Sequence, residues 1–383
     1  MFKRCHSKGL STKPCNGDGL ANEGTCCSGD VLAGLKHAII RSGLESLFFS
    51  GAHVALQPFV GGVGAILTMH RVRPSQPERF QPNRLLEITP RFLARVIELL
   101  RRSQVDMISL DEMHRRMTEG DFRRRFVCLT FDDGYRDFKD HGYPVLKAAG
   151  VPFTMYVATS FPDRLGELWW VVLEAVIAKH ERIGLVIEGQ NRTFDCRTVA
   201  EKRALFDEIY WWLRSLRTEA ELRDVVRNLA ACYQVDIAAL CKDLCMDWRE
   251  LAALATDPLV TIGAHTVNHP ILTKVPEKTA QSEIDLSRTV IEAALGPRPV
   301  HLSYPFGDAG SAGAREFALG QKLGFKTAVT TRPGVLFRSH SKHMLALPRI
   351  SLNGEYQQLR YVRVLLSGSA TAMWNGFRRQ EAA

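Results

Sequence analysis

The sequence contains no Cys-x-x-Cys pair, although nine of its 383 residues are cysteines. An odd number of cysteines without such pairs argues against a disulfide framework and against a zinc ribbon, so a reducing compartment is the simpler expectation. The basic residues at the N-terminus are not followed by an apolar segment. No secretory signal is therefore predicted, and we expect a cytoplasmic location.

The sequence also has no short-period repeat and no concentrated excess of one charge. Its 50 Lys and Arg residues are scattered among 41 Asp and Glu residues. The net charge of +9 is the only feature that favours a basic interaction protein. No nucleic acid partner is expected.

One apolar stretch, residues 47–69, carries no Asp, Glu, Lys or Arg over a length that could span a membrane. The stretch also contains His53, Pro58 and the pair Gly61-Gly62, and it ends in an ordinary strand pattern. We therefore predict that it belongs to the fold. Membrane association through 47–69 is the less favoured alternative.

Along the rest of the chain, strand patterns alternate with helix patterns, which predicts βα units and an α/β fold with a parallel sheet, closed as a barrel or open and doubly wound. Residues 1–30 are rich in Gly, Ser, Asn and Cys, and we predict a disordered or non-native tail there. Residues 31–366 form the predicted catalytic domain, and 367–383 a C-terminal tail. Long helical patterns interrupt the alternation at 163–256, which predicts a helical insertion.

Several helix boundaries are marked by local signals. Thr89 is a predicted N-cap with Pro90 at the first helical position, and Ser109-x-x-Glu112 is a capping-box pattern. Gly150 is expected to end the helix that contains PVLKAAG.

Polar side chains follow three of the predicted strands at the point where each strand ends. The strand residues LTF, VTIGA and LSY lead into Asp132-Asp133-Gly134, His265-Thr-Val-Asn-His269 and Pro305-Phe306-Gly307-Asp308. Reactive groups gather at the carboxyl ends of strands in α/β folds. The three strand ends therefore predict one shared pocket.

The histidines four positions apart lie on one face of a helical turn, so both can reach one metal ion. Together with an aspartate from another strand end, they form an Asp and two-His set that leaves positions open for water and substrate. One metal needs only one of the two adjacent aspartates, so the other carboxylate is free to act as a general base. Asp-Asp-Gly is also common in turns, which is the structural alternative.

The motifs TFDDGY, AHTVNH and SYPFGD resemble those of the metal-dependent polysaccharide deacetylases, a family that includes Nod-factor chitooligosaccharide deacetylase. The flanking segments TMHRV and LPRI resemble the branch that handles poly-N-acetylglucosamine. The resemblance extends from about residue 65 to residue 361, with the insertion between its parts. It implies a distorted (β/α) barrel of about seven parallel strands.

The resemblance also implies roles for individual residues. Asp132 corresponds to the general base, and Asp133, His265 and His269 correspond to the ligands of a divalent metal, with zinc as the expected ion. A backbone N–H near Phe306 would hold the oxyanion. The predicted substrate contacts are Tyr304 and Pro305 of the same motif, and Trp169 at the start of the insertion. A second pair, Trp211-Trp212, is predicted to be core.

The sequence departs from the family pattern at two points. Many members carry an Arg just before the paired prolines that orients the base, whereas Ser303 occupies that position here. No clear Leu-x-His motif supplies a general acid. By resemblance to the branch with a histidine near its start, His70 is the predicted general acid, and His343 is the second candidate.

The implied function is hydrolytic removal of N-acetyl groups from an N-acetylglucosamine oligosaccharide or polysaccharide, so the expected partner is an acetylated amino-sugar chain. An O-acetyl esterase, a peptidoglycan deacetylase or an enzyme acting on a lipid-linked sugar would use the same scaffold. A non-catalytic carbohydrate-binding protein is the alternative from another class. The Arg missing at Ser303 favours that alternative, and Asp132 argues against it.

Overall fold

The computed structural model describes residues 28–376, with side chains described from residue 37 onward. Of the tail predicted at residues 1–30, residues 1–27 lie outside the described part of the chain. The strands of the described part are β1 (Gly64–Met69), β2 (Arg71–Val72), β3 (Glu87–Ile88), β4 (Asp106–Met107), β5 (Phe126–Phe131), β6 (Phe153–Val157), β7 (Arg182–Ile187), β8 (Gln190–Asp195), β9 (Val260–Ala264), β10 (His301–Ser303), β11 (Thr327–Pro333) and β12 (Leu347–Ser351).

The helices surround these strands. They are α1 (Ser28–Phe49), α2 (Ala52–Val60), α3 (Pro90–Arg102), α4 (Leu110–Glu119), α5 (Tyr143–Ala149), α6 (Trp169–Lys179), α7 (Val199–Ser215), α8 (Glu219–Cys232), α9 (Ile237–Leu244), α10 (Trp248–Ala255), α11 (Glu277–Leu295), α12 (Ala314–Lys322), α13 (Leu359–Leu366) and α14 (Ser369–Trp374). Short 3₁₀ turns cover Pro82–Leu86, Leu272–Lys274 and Arg338–Lys342, and a π-helical turn covers Phe138–Gly142.

Seven parallel strands close into a barrel in the order β1-β12-β11-β10-β9-β6-β5, and β5 returns to pair with β1. The closing pair keeps one register from Gly64 opposite Phe126 to Met69 opposite Phe131. Strand β4 adds to the first residues of β5. The prediction of a distorted (β/α) barrel of about seven parallel strands is confirmed.

Strand β5 shows how the barrel divides its side chains between two layers. Val127, Leu129 and Phe131 belong to the core cluster that packs against the outer helices. Cys128 belongs to a separate cluster that includes residues of α4, and Thr130 lies two positions further along the same face. Continuing this alternation carries Asp132 onto the inner face at the carboxyl end of the barrel.

The helix-end signals at Thr89 and Gly150 are confirmed, whereas at Ser109 the N-cap forms but the Glu112 carboxylate of the predicted capping box accepts from Arg115 and Arg116. The Thr89 hydroxyl accepts a hydrogen bond from the Phe92 N–H, and the Ser109 hydroxyl accepts one from the Glu112 N–H, both at 3.2 Å. Gly150 ends α5 with φ of 60°, a left-handed conformation that glycine adopts without steric cost.

The stretch predicted as a helical insertion contains α6 to α10 and also the antiparallel hairpin β7–β8. The sequence analysis did not predict this hairpin. Its turn residues Glu188 and Gly189 both have positive φ, 52° and 75°, as a two-residue hairpin turn of type I′ requires. The insertion helices and β7 share a hydrophobic cluster centred on α6, α7 and α8.

The apolar stretch 47–69 is divided among the end of α1, all of α2, and β1. Among the described residues, no helix combines the length and apolarity needed to cross a bilayer. The segment predicted as a C-terminal tail includes α14, in which Ser369, Ala370 and Thr371 are buried.

Candidate active site

The predicted site residues converge at the carboxyl ends of the barrel strands. Asp132 and Asp133 follow β5, His265 and His269 follow β9, and Phe306 follows β10. These three strand ends come together in the barrel, as the sequence predicted, and β1 and β12 also end at this side.

Asp133, His265 and His269 form one buried cluster whose ligand atoms all lie within 4.8 Å of one another. The Nε2 atoms of His265 and His269 are 3.5 and 3.4 Å from Asp133 Oδ1. Two ligand atoms bound to one tetrahedral ion at roughly 2.0–2.1 Å are about 3.4 Å apart. Among residues 37–376, Asp133 Oδ1 is buried without a hydrogen-bond partner. One oxygen and two imidazole nitrogens therefore fit a divalent ion such as zinc.

The two histidines are oriented differently. His265 donates from Nδ1 to the carbonyl oxygen of Ser303 at 2.6 Å, which leaves Nε2 as the acceptor facing Asp133. Within the described part of the chain, the buried Nδ1 of His269 has no hydrogen-bond partner. Burial, reinforced by the nearby charges of His265 and Arg223 and opposed by Asp133, lowers the pKa of His269 to about 3. Burial would lower the pKa of His265, but the contact with Asp133 and the charge of Asp132 outweigh burial and raise it. The Nε2 atoms of both rings nevertheless face the same Asp133 oxygen.

Asp132 stands beside this cluster and is held by Arg349 of β12. Arg349 Nη1 donates to Asp132 Oδ1 at 2.8 Å, and Nη2 donates to Oδ2 at 2.7 Å. The Ser303 hydroxyl also donates to Oδ2, at 3.3 Å. Arg349 is fixed in turn, because its Nε donates to the Thr330 carbonyl and Nη1 to the Thr130 hydroxyl. This is a buried, bidentate pair of fixed geometry.

The pair determines the ionisation of Asp132. Burial alone would raise its pKa, but the charge and hydrogen bonds of Arg349 outweigh burial and bring the pKa well below its usual range. The side chain is therefore a carboxylate at every pH at which the protein is expected to work.

Left-handed backbone is concentrated in the site loops. Asp133, Thr266, His269 and Phe306 have φ of 72°, 66°, 55° and 59°. Residues other than glycine adopt this conformation at a cost of about 1 kcal/mol or more, so the surrounding contacts must hold it. At β5, the turn sends the Asp133 side chain away from the strand while Asp132 stays on the inner face.

Phe306 is a partly exposed ring at the edge of the cluster, with its centroid 4.8 Å from that of His269. The guanidinium of Arg214 on α7 lies 4.6 Å from the ring centroid. Trp169 and Trp170 of α6 pack behind it, each with ring centroids 5.9 Å from Phe306. The insertion therefore supports one wall of the site.

The three predicted substrate contacts occupy less accessible positions than expected. Trp169 is fully buried, so its ring supports Phe306 and does not face a groove. Tyr304 is also fully buried, and its hydroxyl donates to the Leu345 carbonyl at 3.0 Å. Because Ser303 faces Asp132, the next side chain on the strand points to the outer layer. Pro305 is buried between Tyr304 and Phe306.

The structure separates the two candidates for the general acid. His70 directly follows β1 and is partly exposed. Removal from water lowers the pKa of its imidazole, and the nearby charges of Asp132 and Asp133 oppose this effect. His343 is exposed and precedes the first residue of β12, which lies at the opposite end of the barrel. The structure therefore does not bring His343 to the site.

Arg349 is the functional residue that the sequence analysis missed. It supplies the guanidinium that was expected at position 303, and Ser303 donates to the same carboxylate. The segment LPRI, which contains Arg349, was noted only as part of the family resemblance. A buried arginine in a strand motif of otherwise apolar residues was the available signal.

Comparisons with known proteins concern the family and the fold of the chain. The sequence model of the family described as polysaccharide deacetylase matches residues 119–328, more than half of the chain. None of the curated proteins matches the chain in sequence. The Streptococcus pyogenes deacetylase PplD in complex with acetate is 16% identical, with 79% of this chain and 97% of that chain covered and a TM-score of 0.53. IcaB from Ammonifex degensii is 16% identical, with 80% and 96% covered and a TM-score of 0.49.

At this identity, the likeness to PplD supports the fold alone. The family match carries the assignment, because it includes the Asp132-Asp133 and His265–His269 motifs and the Ser303–Gly307 segment. It confirms the prediction of a deacetylase-type hydrolase. The chain belongs to the polysaccharide deacetylase family.

Proposed function

We propose that the protein is a zinc-dependent deacetylase that removes N-acetyl groups from an N-acetylglucosamine oligosaccharide or polysaccharide, as in chitooligosaccharide deacetylases. The observation that carries this proposal is the second carboxylate. Asp132 lies beside the Asp133–His265–His269 cluster, yet it is committed to Arg349 and not to the cluster. A protein that only bound metal or sugar would not need it.

A divalent ion held by Asp133, His265 and His269 would polarise the acetyl carbonyl and lower the pKa of water. Asp132, with its lowered pKa, is a weak base, so it can take a proton only from water acidified in this way. Asp132 Oδ1 accepts one bond from Arg349 and keeps a further lone pair, whereas Oδ2 accepts from both Arg349 and Ser303. Arg349 thus fixes the orientation of the Asp132 carboxylate and leaves it able to accept a further hydrogen bond.

His70 is the proposed donor of the proton that the departing amine requires. It projects from the end of β1, which is the strand next to β5 in the barrel. A backbone N–H near Phe306 is the proposed oxyanion donor, since Phe306 and Gly307 form a left-handed turn at the end of β10.

The wall formed by α7 offers an aromatic surface for a sugar chain. Trp211 is 62% exposed, so its prediction as core was wrong. It lies three positions before Arg214, whose guanidinium covers the Phe306 ring, and therefore lies on the same side of the helix. We propose Trp211 as a contact for a sugar unit next to the one that reacts.

The proposal is tested with zinc-loaded protein and a panel of acetylated sugars, with acetate release followed by mass. We expect release from N-acetylglucosamine oligomers, and none from the same oligomers with an Asp132→Asn variant. Release only from O-acetylated sugars or only from peptidoglycan would assign the alternative hydrolase. No release from any member of the panel would favour the non-catalytic carbohydrate-binding protein. The expected cytoplasmic location stays a prediction.

A further inference from the structure

Helix α8 of the insertion contacts the loop that carries the metal-ligand candidate His269. Arg223 Nη2 donates to the backbone carbonyls of Asn268 at 2.9 Å and His269 at 3.3 Å. Its Nη1 donates to the Glu167 carbonyl at 2.9 Å. All three guanidinium nitrogens are used, because Nε donates to Glu219 at 2.8 Å.

Glu219 extends this contact to the other side of His269. One carboxylate oxygen accepts from Arg223, and the other accepts from the Ile271 N–H at 3.1 Å. Glu219 and Arg223 are both only 7% exposed, and they lie four positions apart on α8. The pair therefore spans the backbone from residue 268 to residue 271.

The loop needs such support. Thr266 and His269 both adopt left-handed φ, which a free loop would not favour. His265 is oriented by its own hydrogen bond to Ser303, whereas His269 Nδ1 has none within residues 37–376. The direction of the His269 ring is consequently set by its backbone and packing. On the barrel side, Glu283 of α11 accepts from the backbone N–H groups of Val267 and Asn268 and from the Asn268 side-chain amide.

We propose that Glu219 and Arg223 are positioning residues that make metal retention by His269 depend on the helical insertion. This inference rests on the proposed metal-dependent function. The insertion is then part of the metal site, in addition to forming its outer wall. An arginine suits this task, because a lysine ammonium could not reach both carbonyls and Glu219 in one planar arrangement.

The test measures the zinc dissociation constant with a competing chromogenic chelator. Arg223→Met removes the guanidinium but leaves Glu219 as a buried carboxylate without a cation, which endangers the fold. The double variant Glu219→Gln with Arg223→Met avoids that charge and keeps an amide oxygen for the Ile271 N–H. Arg227→Met is the matched control, because Arg227 lies one turn further along α8 and shares Glu167 with Arg223, but its bonds go to the Glu167 and Asp224 carboxylates and not to the loop carbonyls that Arg223 binds.

We expect the double variant to bind zinc about 10–100-fold more weakly, the usual effect of losing a group that orients a ligand. Arg227→Met should change the constant less than about twofold. At saturating zinc the turnover number of the double variant should return to within about threefold of the wild type, since the ligands and Asp132 remain. Unfolding of the metal-free proteins, followed by circular dichroism, should show a folded double variant that loses more stability than Arg227→Met, because buried carbonyls lose the Arg223 donor.

Wild-type zinc affinity in the folded double variant would overturn the proposal, and so would an equal loss in Arg227→Met. Failure of the double variant to fold would show a purely structural pair and would also overturn it. These outcomes are measured as zinc affinity and folding, so they do not depend on whether the protein has deacetylase activity. Weakened zinc binding with no activity of the wild type on acetylated sugars would refute the function and leave the positioning role standing.

Discussion

At the scale of single residues, the ionisation of Asp132 depends on one partner. Burial raises its pKa, and the bidentate guanidinium of Arg349 reverses that effect. Because the folded-state pKa is lowered, the pair stabilises the fold fully above the unfolded pKa of about 3.9, and this contribution is lost as pH falls toward the folded pKa.

Replacing Arg349 by Met should therefore move the acidic limb of kcat/KM to higher pH, because uncompensated burial raises the pKa of Asp132. The base works only when deprotonated, so activity at about pH 5 should fall more than activity at pH 8. Removing one partner of a buried ion pair should also cost about 3–5 kcal/mol of unfolding free energy. A pH profile of kcat/KM and a urea titration check both effects. An unchanged acidic limb in a folded variant would contradict the role of Arg349.

Replacing His70 by Ala should lower kcat about 10²–10⁴-fold, as expected for loss of a general acid. Zinc content should stay at the wild-type level, because His70 is not one of the clustered ligands. His343→Ala is the control, and it should keep full turnover. Full turnover of His70→Ala with normal zinc would remove His70 from the mechanism.

The sequence predicted the site residues that lie in contiguous motifs, and missed the one that tertiary structure supplies. Asp133, His265 and His269 follow strand ends, and the structure brings them together. Arg349 is 217 positions from Asp132, so their contact depends on the register of the closed barrel. The outward direction of Tyr304 could have been predicted, because alternate residues of a strand face opposite sides.

At the scale of elements, local chemistry predicted helix ends better than it predicted the insertion. The Thr89 and Ser109 caps depend on neighbouring residues only, and both hydrogen bonds are present. The hairpin β7–β8 was missed because β8 has little apolar alternation: Phe194 is half-buried and the other residues of the strand are exposed. Trp211 and Trp212 were assigned to the core because adjacent helix positions cannot both face one groove, but that reasoning does not prevent one of the two from facing solvent, as Trp211 does.

Replacing Trp211 by Ala should raise KM for a long N-acetylglucosamine oligomer about three- to tenfold, which corresponds to one aromatic contact. The turnover number and KM for the shortest substrate should change little, since the reacting groups are untouched. Trp374→Ala is the matched control, because Trp374 of α14 is 61% exposed. Equal effects of the two substitutions would contradict a sugar contact at Trp211.

A substitution at Gly368, which precedes α14, tests whether the segment predicted as a C-terminal tail is packed against the domain. Gly368 has φ of 75°, and an added Cβ would lie 2.0 Å from the Val60 carbonyl oxygen of α2. Gly376 has φ of 58° with open space around it. Gly376→Ala should cost about 1 kcal/mol of unfolding free energy, and Gly368→Ala at least about 2 kcal/mol more. Equal costs would show that α14 is not docked on α2.

At the scale of the whole molecule, closure of the barrel assembles the site. The carboxylates follow β5 and the histidines follow β9, with β6 between these strands. Arg349 comes from β12, beyond β1 on the other side of β5. The alternation of strands and helices predicted a parallel sheet but left open whether it closed, and the pairing of β1 with β5 decides that point.

The division of labour between Asp132 and Asp133 is the central claim, and zinc content measured together with acetate release tests it most directly. Asp132→Asn should keep zinc near the wild-type amount and lose turnover about 10²–10⁴-fold. Asp133→Asn should lose zinc, and its activity should fall for that reason. Thermal unfolding shows whether each variant is folded, and zinc content and acetate release are compared only for folded protein. Equal loss of zinc in the two variants, or full turnover of folded Asp132→Asn, would contradict the account.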